Sequence, residues 1–215
     1  MGIHSEVLRY MGHTGKADAQ LEALIVSCLE KLSAVCTPHH VMAELPCTVS
    51  GDSVMFDTLT IKSSALAVHL DGCTQVFIFA ATLGAGVDRL ITQRVKMDSA
   101  EALCLQACAA AEIEDYCNSV ERELLQKVHQ HGLHLRPRFS PGYGDFDIAR
   151  QTDILRILEA HKRIGLTETK THMLTPLKSV TAVIGAGPEK MGFQSLNKCV
   201  NCSKTDCSLS HFQKL

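Results

Sequence analysis

Aromatic residues are scarce in this chain: there is no tryptophan, and only three tyrosines occur in 215 residues. A marked excess of charge is also missing, since 21 Lys and Arg stand against 23 Asp and Glu for a net charge of −2, which offers no general attraction to nucleic acid or an anionic membrane. Apolar runs such as Val76 to Leu83 fall far short of the roughly 20 residues needed to cross a bilayer. The N-terminal "MGIHSEVLRY" lacks the apolar centre of a secretion signal, so a cytoplasmic protein is expected. Cysteine, by contrast, is plentiful. Seven of the ten (Cys28, Cys36, Cys47, Cys73, Cys104, Cys108 and Cys117) sit singly in apolar segments and read as reduced core thiols, whereas Cys199, Cys202 and Cys207 cluster near the C-terminus.

The length suits one domain, and hydrophobic spacing outlines its elements. "DAQLEALIVSCLEKLSAV" predicts a helix over about Ala17 to Val35, ended by Thr37-Pro38. "VMAELPCTVSGDSVMFDTLTI" predicts strands broken at Pro46 and at Ser50-Gly51-Asp52. "SSALAVHL" reads as a short helix capped by Ser63 or Ser64, Asp71-Gly72 as a turn, and "TQVFIFAATLG" as a buried strand. Gly84-Ala85-Gly86 lacks the third glycine of a dinucleotide-binding turn and reads as a tight passage from strand to the helix "GAGVDRLITQRV". Asp98 caps a long helix whose Ala- and Cys-rich first half predicts close packing in the middle of the fold. His134 to Phe139 reads as a strand, "TDILRILEAHKRIG" as a helix closed by Gly165, and "THMLTPLKSVTAVIG" as one or two strands. The pattern predicts an α+β fold with helices on one side of a largely antiparallel sheet. Residues 1–190 form the expected domain and 191–215 a cysteine-rich tail.

One segment stands out chemically. "RPRFSPGYGDFD", residues 136–147, holds two arginines, two prolines, two glycines and one of the three tyrosines. Pro137 and Pro141 restrict the backbone, Gly142 permits close approach, Tyr143 offers a ring face, and Arg138 supplies a planar cationic fork suited to a carboxylate. These residues could grip a small molecule bearing a carboxylate and a flat ring, or form a tight connection with solvated arginines. His39, His40, His129, His131 and His134 read as solvated side chains rather than ligands.

In order along the chain, "EVLRYMGHTG", "FAATLGAGVDRLI", "ACAAAEIEDY", "RPRFSPGYGD", "TDILRILEAHKRIGLTET" and "MLTPLKSVTAVIG" resemble the reactivation domain of cobalamin-dependent methionine synthase, in its short stand-alone form. The resemblance covers most of the chain. It implies a bent, mostly antiparallel sheet with flanking helices. The implied function is reductive reactivation of that enzyme, or of a related corrinoid methyltransferase, by binding S-adenosylmethionine and presenting its methyl group to cob(II)alamin on the partner. A flavodoxin-like or ferredoxin-like protein would supply the electron. The alternative is a docking or redox adaptor for a corrinoid protein, without its own S-adenosylmethionine site.

Carried over by motif, the resemblance assigns Arg138 to the ligand carboxylate, and Ser140 and Gly142 to backbone contacts. It assigns Tyr143 to the wall beside the ligand and Glu112 to its ammonium group, with Glu114 a near competitor. No side chain is required as an acid or base. Ile184 stands where larger members carry a second tyrosine after the P-x-x-S-V-T stretch formed by Pro176, Ser179, Val180 and Thr181. The tail spacing Cys199-x2-Cys202-x4-Cys207, with His211 beyond, suits zinc or an iron–sulfur cluster, or three reduced thiols.

Overall fold

A computed structural model describes residues 2–57 and 59–188. The chain opens with helices α1 (Ile3–Tyr10) and α2 (Ala19–Ser33), then strands β1 (His39–Ser50), β2 (Ser53–Phe56) and β3 (Leu59–Lys62). Helix α3 (Ser64–His69), strand β4 (Gln75–Thr82), and helices α4 (Ala85–Val95) and α5 (Ser99–Gln130) follow. After β5 (His134–Leu135) come a 3-10 turn at Ile148–Arg150, α6 (Gln151–Ile157), α7 (Ala160–Arg163), β6 (Thr167–Glu168), β7 (Leu174–Thr175) and β8 (Ser179–Gly187).

Six strands form one antiparallel sheet in the order β3-β2-β1-β4-β8-β5, so the fold is α+β with flanking helices. β4 lies at its centre and is buried on both faces: Phe77, Phe79 and Ala81 point one way, Val76, Ile78 and Ala80 the other. The first set meets α1, α2, α4 and α5, as the amphipathic spacing of α2 requires with Ile25, Cys28 and Leu32 inward. The second set meets α3, α6, α7 and the curled β2–β3 end, so helices cover both faces rather than the one expected.

The local signals act as the sequence suggests in most places. Asp98 accepts from the backbone N–H of Ala100 and Glu101 and starts α5, and Ser63 caps α3. Pro46 does not break β1: residues 39–46 pair with β4 and 47–50 with β2, so the proline sits where the strand changes partner. The helix expected up to Gly165 is interrupted at Glu159, whose φ is +48°, dividing α6 from α7. α1, not foreseen as a helix, packs Val7 into the core against α5. The seven scattered cysteines are all free thiols, six of them buried. Among the described residues no helix is long and apolar enough to cross a membrane.

α5 is central because its small side chains let neighbours approach; Ala109 and Cys108 are fully buried. Glu101, 7% exposed, is held on this helix by Lys31 at 2.6 Å, with Arg94 at 3.6 Å. Ala109→Leu is expected to lower stability by about 1–3 kcal/mol through overpacking. Leu103→Ser, at an exposed position of the same helix, should change it by less than about 0.5 kcal/mol. Urea denaturation of both variants measures the contrast.

Candidate functional site

β5 pairs with β8 only at its far end, His134 opposite Gly187 and Leu135 opposite Ala186; beyond it Arg136 donates its N–H to the Gly185 carbonyl, and Phe139 bridges Val183. Among the described residues nothing pairs with Ser179–Thr181 on that side. The gap is a cavity of about 180 Å³ lined by Glu114, Arg138, Ser140, Tyr143, Gln151, Leu174, Ser179, Val180 and Thr181.

Its rim is the loop from β5 to α6, held by several independent contacts. Phe139 exchanges backbone hydrogen bonds with Val183, its ring stacks on Phe146 and packs against His69, and Tyr143 meets it edge-on at 5.7 Å. Gly142, at φ +93°, donates its N–H to the Phe146 carbonyl and closes the turn. Gly144, at φ +57°, lies so close to α3 that a Cβ would meet that of Ala65 at 2.6 Å. Asp145 fastens the turn: its carboxylate accepts from the Ser63 hydroxyl at 2.6 Å and from the N–H of Ser64 and Ala65 at 2.8 and 2.9 Å. Those three donors hold the Asp145 pKa down at about 2.

Arg138 joins this rim to α5. Its Nη2 donates to Glu114 at 2.9 Å and to Asn118 at 3.0 Å. Nη1 lies 3.1 Å from a Glu121 carboxylate oxygen, close enough for an ion pair but off hydrogen-bond alignment. Glu114, Asn118 and Glu121 fall at i, i+4 and i+7, one face of the helix. Glu112 is two residues earlier, about 200° round the axis. It is half-buried, its pKa raised by burial and by Asp115, and its charge is felt by Cys36. The structure therefore does not bring Glu112 to the cavity with Arg138; Glu114 occupies that place.

Of the other residues singled out in the sequence, Arg138, Ser140 and Tyr143 line the cavity, while Gly142 shapes the turn beside it. Arg136 points elsewhere, donating from Nη2 to the Asp71 carbonyl, so only one of the segment's two arginines faces the site. Ile184 is fully buried in the layer beneath α5, away from the cavity. Asn118, Glu121, Gln151 and Leu174 were missed. The i, i+4, i+7 spacing, where α5 passes from its Ala- and Cys-rich half to its charged half, was the available signal for the first two; Gln151 and Leu174 carried none.

Among the described residues no group of three or more His, Cys, Asp or Glu could hold a metal ion. His40 bonds the Tyr116 hydroxyl, and His129 meets His134 edge to face. Cys199, Cys202 and Cys207 lie outside the described residues.

No family model matches the chain, and no curated protein matches it. Among solved structures, the crystal structure of the MetH reactivation domain bound to AdoHcy is similar in fold, with a TM-score of 0.68 at 16% identity over 90% of this chain and 78% of that one. The chain thus has the fold of the MetH reactivation domain.

Asp145 gives the site an acid limit. Its folded-state pKa of about 2 lies below the ordinary value near 3.9, so its contribution is complete above about pH 4 and is lost as pH falls through 2. Asp145→Asn should be less stable than the parent at pH 6, and the difference should shrink between pH 4 and 2. Melting temperatures recorded across that range test this.

Proposed function

We propose that the cavity at the open edge of β8 binds S-adenosylmethionine and that the protein presents its methyl group to a corrinoid on a partner protein, as in reductive reactivation of cobalamin-dependent methionine synthase. The observation that carries this reading is the charge pattern: one guanidinium and two carboxylates converge beside a polar cavity. The fold is that of a domain solved with AdoHcy bound.

The residues present fit such a ligand. S-adenosylmethionine carries an ammonium, a sulfonium and a carboxylate, a net single positive charge. Arg138 between Glu114 and Glu121 leaves one negative charge in excess, which favours a cation. On binding, the ligand carboxylate takes donors of the Arg138 fork, and Glu114, released from Nη2, receives the ammonium. Ser140 and the turn closed by Gly142 allow the ligand close to the backbone, and the Tyr143 ring, half exposed, forms a wall. Cobalamin, held by the partner, supplies the methyl acceptor. This chain contributes position: it holds the donor in line, and no side chain needs to move a proton. The electron comes from a flavodoxin-like or ferredoxin-like donor, and residues 191–215 form an appended tail in which Cys199, Cys202 and Cys207 hold zinc or an iron–sulfur cluster.

Calorimetry with S-adenosylmethionine should show binding that weakens about tenfold or more in Arg138→Ala and in Glu114→Gln, and changes less than about twofold in Glu112→Gln. Equal loss in Glu112→Gln and none in Glu114→Gln would reverse the assignment of the acid. Mixing the protein with a cob(II)alamin-form methyltransferase, a reductant and S-adenosylmethionine should change the cobalt spectrum beyond the partner-alone control. Metal content should fall in Cys199→Ser and Cys207→Ser if the tail binds metal.

A further inference from the structure

We infer that Gln151 reads the base of the bound nucleoside, accepting a 6-aminopurine and rejecting a 6-oxopurine; this rests on the ligand class proposed above. Gln151 opens α6, lines the cavity and is 4% exposed. A glutamine buried that deeply needs partners for its amide, and two are in place. Its Nε2 donates to the His172 carbonyl at 2.6 Å, and its Oε1 accepts from the Thr181 hydroxyl at 3.0 Å.

These two bonds fix which end of the amide is which. A carbonyl can only accept, so nitrogen must face His172, and the Thr181 hydroxyl is then free to donate to the oxygen. Each end keeps one unused capacity, a second N–H on Nε2 and a second lone pair on Oε1. An adenine edge offers the complement, a ring-nitrogen acceptor beside an amino donor, and glutamine pairs with it through both atoms. Beside its carbonyl acceptor hypoxanthine places a second acceptor at N7 or, on the N1 side, a ring N–H donor in the reversed order. A free amide could turn over to match it; this one is held in one sense by His172 and Thr181.

The surroundings suit a base. Leu174 and Val180 give apolar contact for its faces, and Tyr143 gives a ring. The charged residues come from elsewhere: Glu114 belongs to α5 on one face of the sheet, Gln151 to α6 on the other. The cavity therefore offers separate places for the amino-acid portion and the nucleoside.

The test uses the full chain and two ligands that differ only at the base, S-adenosylhomocysteine and S-inosylhomocysteine, measured by calorimetry. The parent protein should prefer the adenine compound by about tenfold or more. Gln151→Met should bring that ratio toward one, and Thr181→Val, which frees Oε1 while leaving the amide present, should reduce it in part. Circular dichroism checks that each variant folds, and if Gln151→Met does not, Thr181→Val decides. A ratio near one in the parent, or a preference unchanged in the folded variants despite weaker binding of both ligands, would show that Gln151 only ties α6 to the β6–β7 hairpin. Failure of the parent to bind either compound would overturn the ligand class itself and this inference with it.

Discussion

Arg138 is where two distant parts of the chain are made to agree. Its guanidinium comes from the loop after β5, its carboxylate and amide partners from the middle of α5, and 24 residues separate it from Glu114. A cation whose side chain is largely enclosed needs anions around it, since desolvation would otherwise cost several kcal/mol. Two acids and an amide meet that need while leaving the cluster one negative charge in excess. Glu114 is still 44% exposed, so its share of the attraction is screened. A contact of that kind can exchange one partner for a ligand without the fold coming apart, which is the property a binding site needs.

That arrangement depends on the rim holding still. The loop is stiffened by prolines, closed through Gly142, packed on Phe139 and Phe146, and fastened to α3 by Asp145. None of these contacts involves the cavity directly. They fix where Tyr143 and Arg138 stand, so less conformational freedom is left to lose when something binds. On the far side Gln151 does similar work, joining α6, β8 and the β6–β7 hairpin through one amide.

Much of the fold was legible locally. The caps at Ser63 and Asp98, the buried run of β4 and the apolar stripe of α2 are effects of near neighbours in the chain, and hydrophobic spacing registers them. The failures have a common origin. Pro46 looked like a break because its strand-changing role involves β2 and β4 together; α6 looked continuous because the left-handed Glu159 leaves no trace in the apolar spacing. At the site, the composition of residues 136–147 marks Arg138 and Tyr143, and likeness adds Ser140 and places the acid at Glu112 with Glu114 as competitor, whereas helical geometry puts Glu114 toward the arginine.

By itself the sequence determined the α+β pattern, the reduced core thiols, the capped long helix and a stiff segment carrying a guanidinium. Those follow from local dihedral preferences, hydrophobic periodicity and the chemistry of single side chains. The tertiary structure decided which arginine faces the cavity, which acid meets it, and that Gln151 and Leu174 complete the wall. Such choices depend on the rotation of α5 about its axis and on an unpaired stretch of β8, and both are set by packing between segments far apart in the chain.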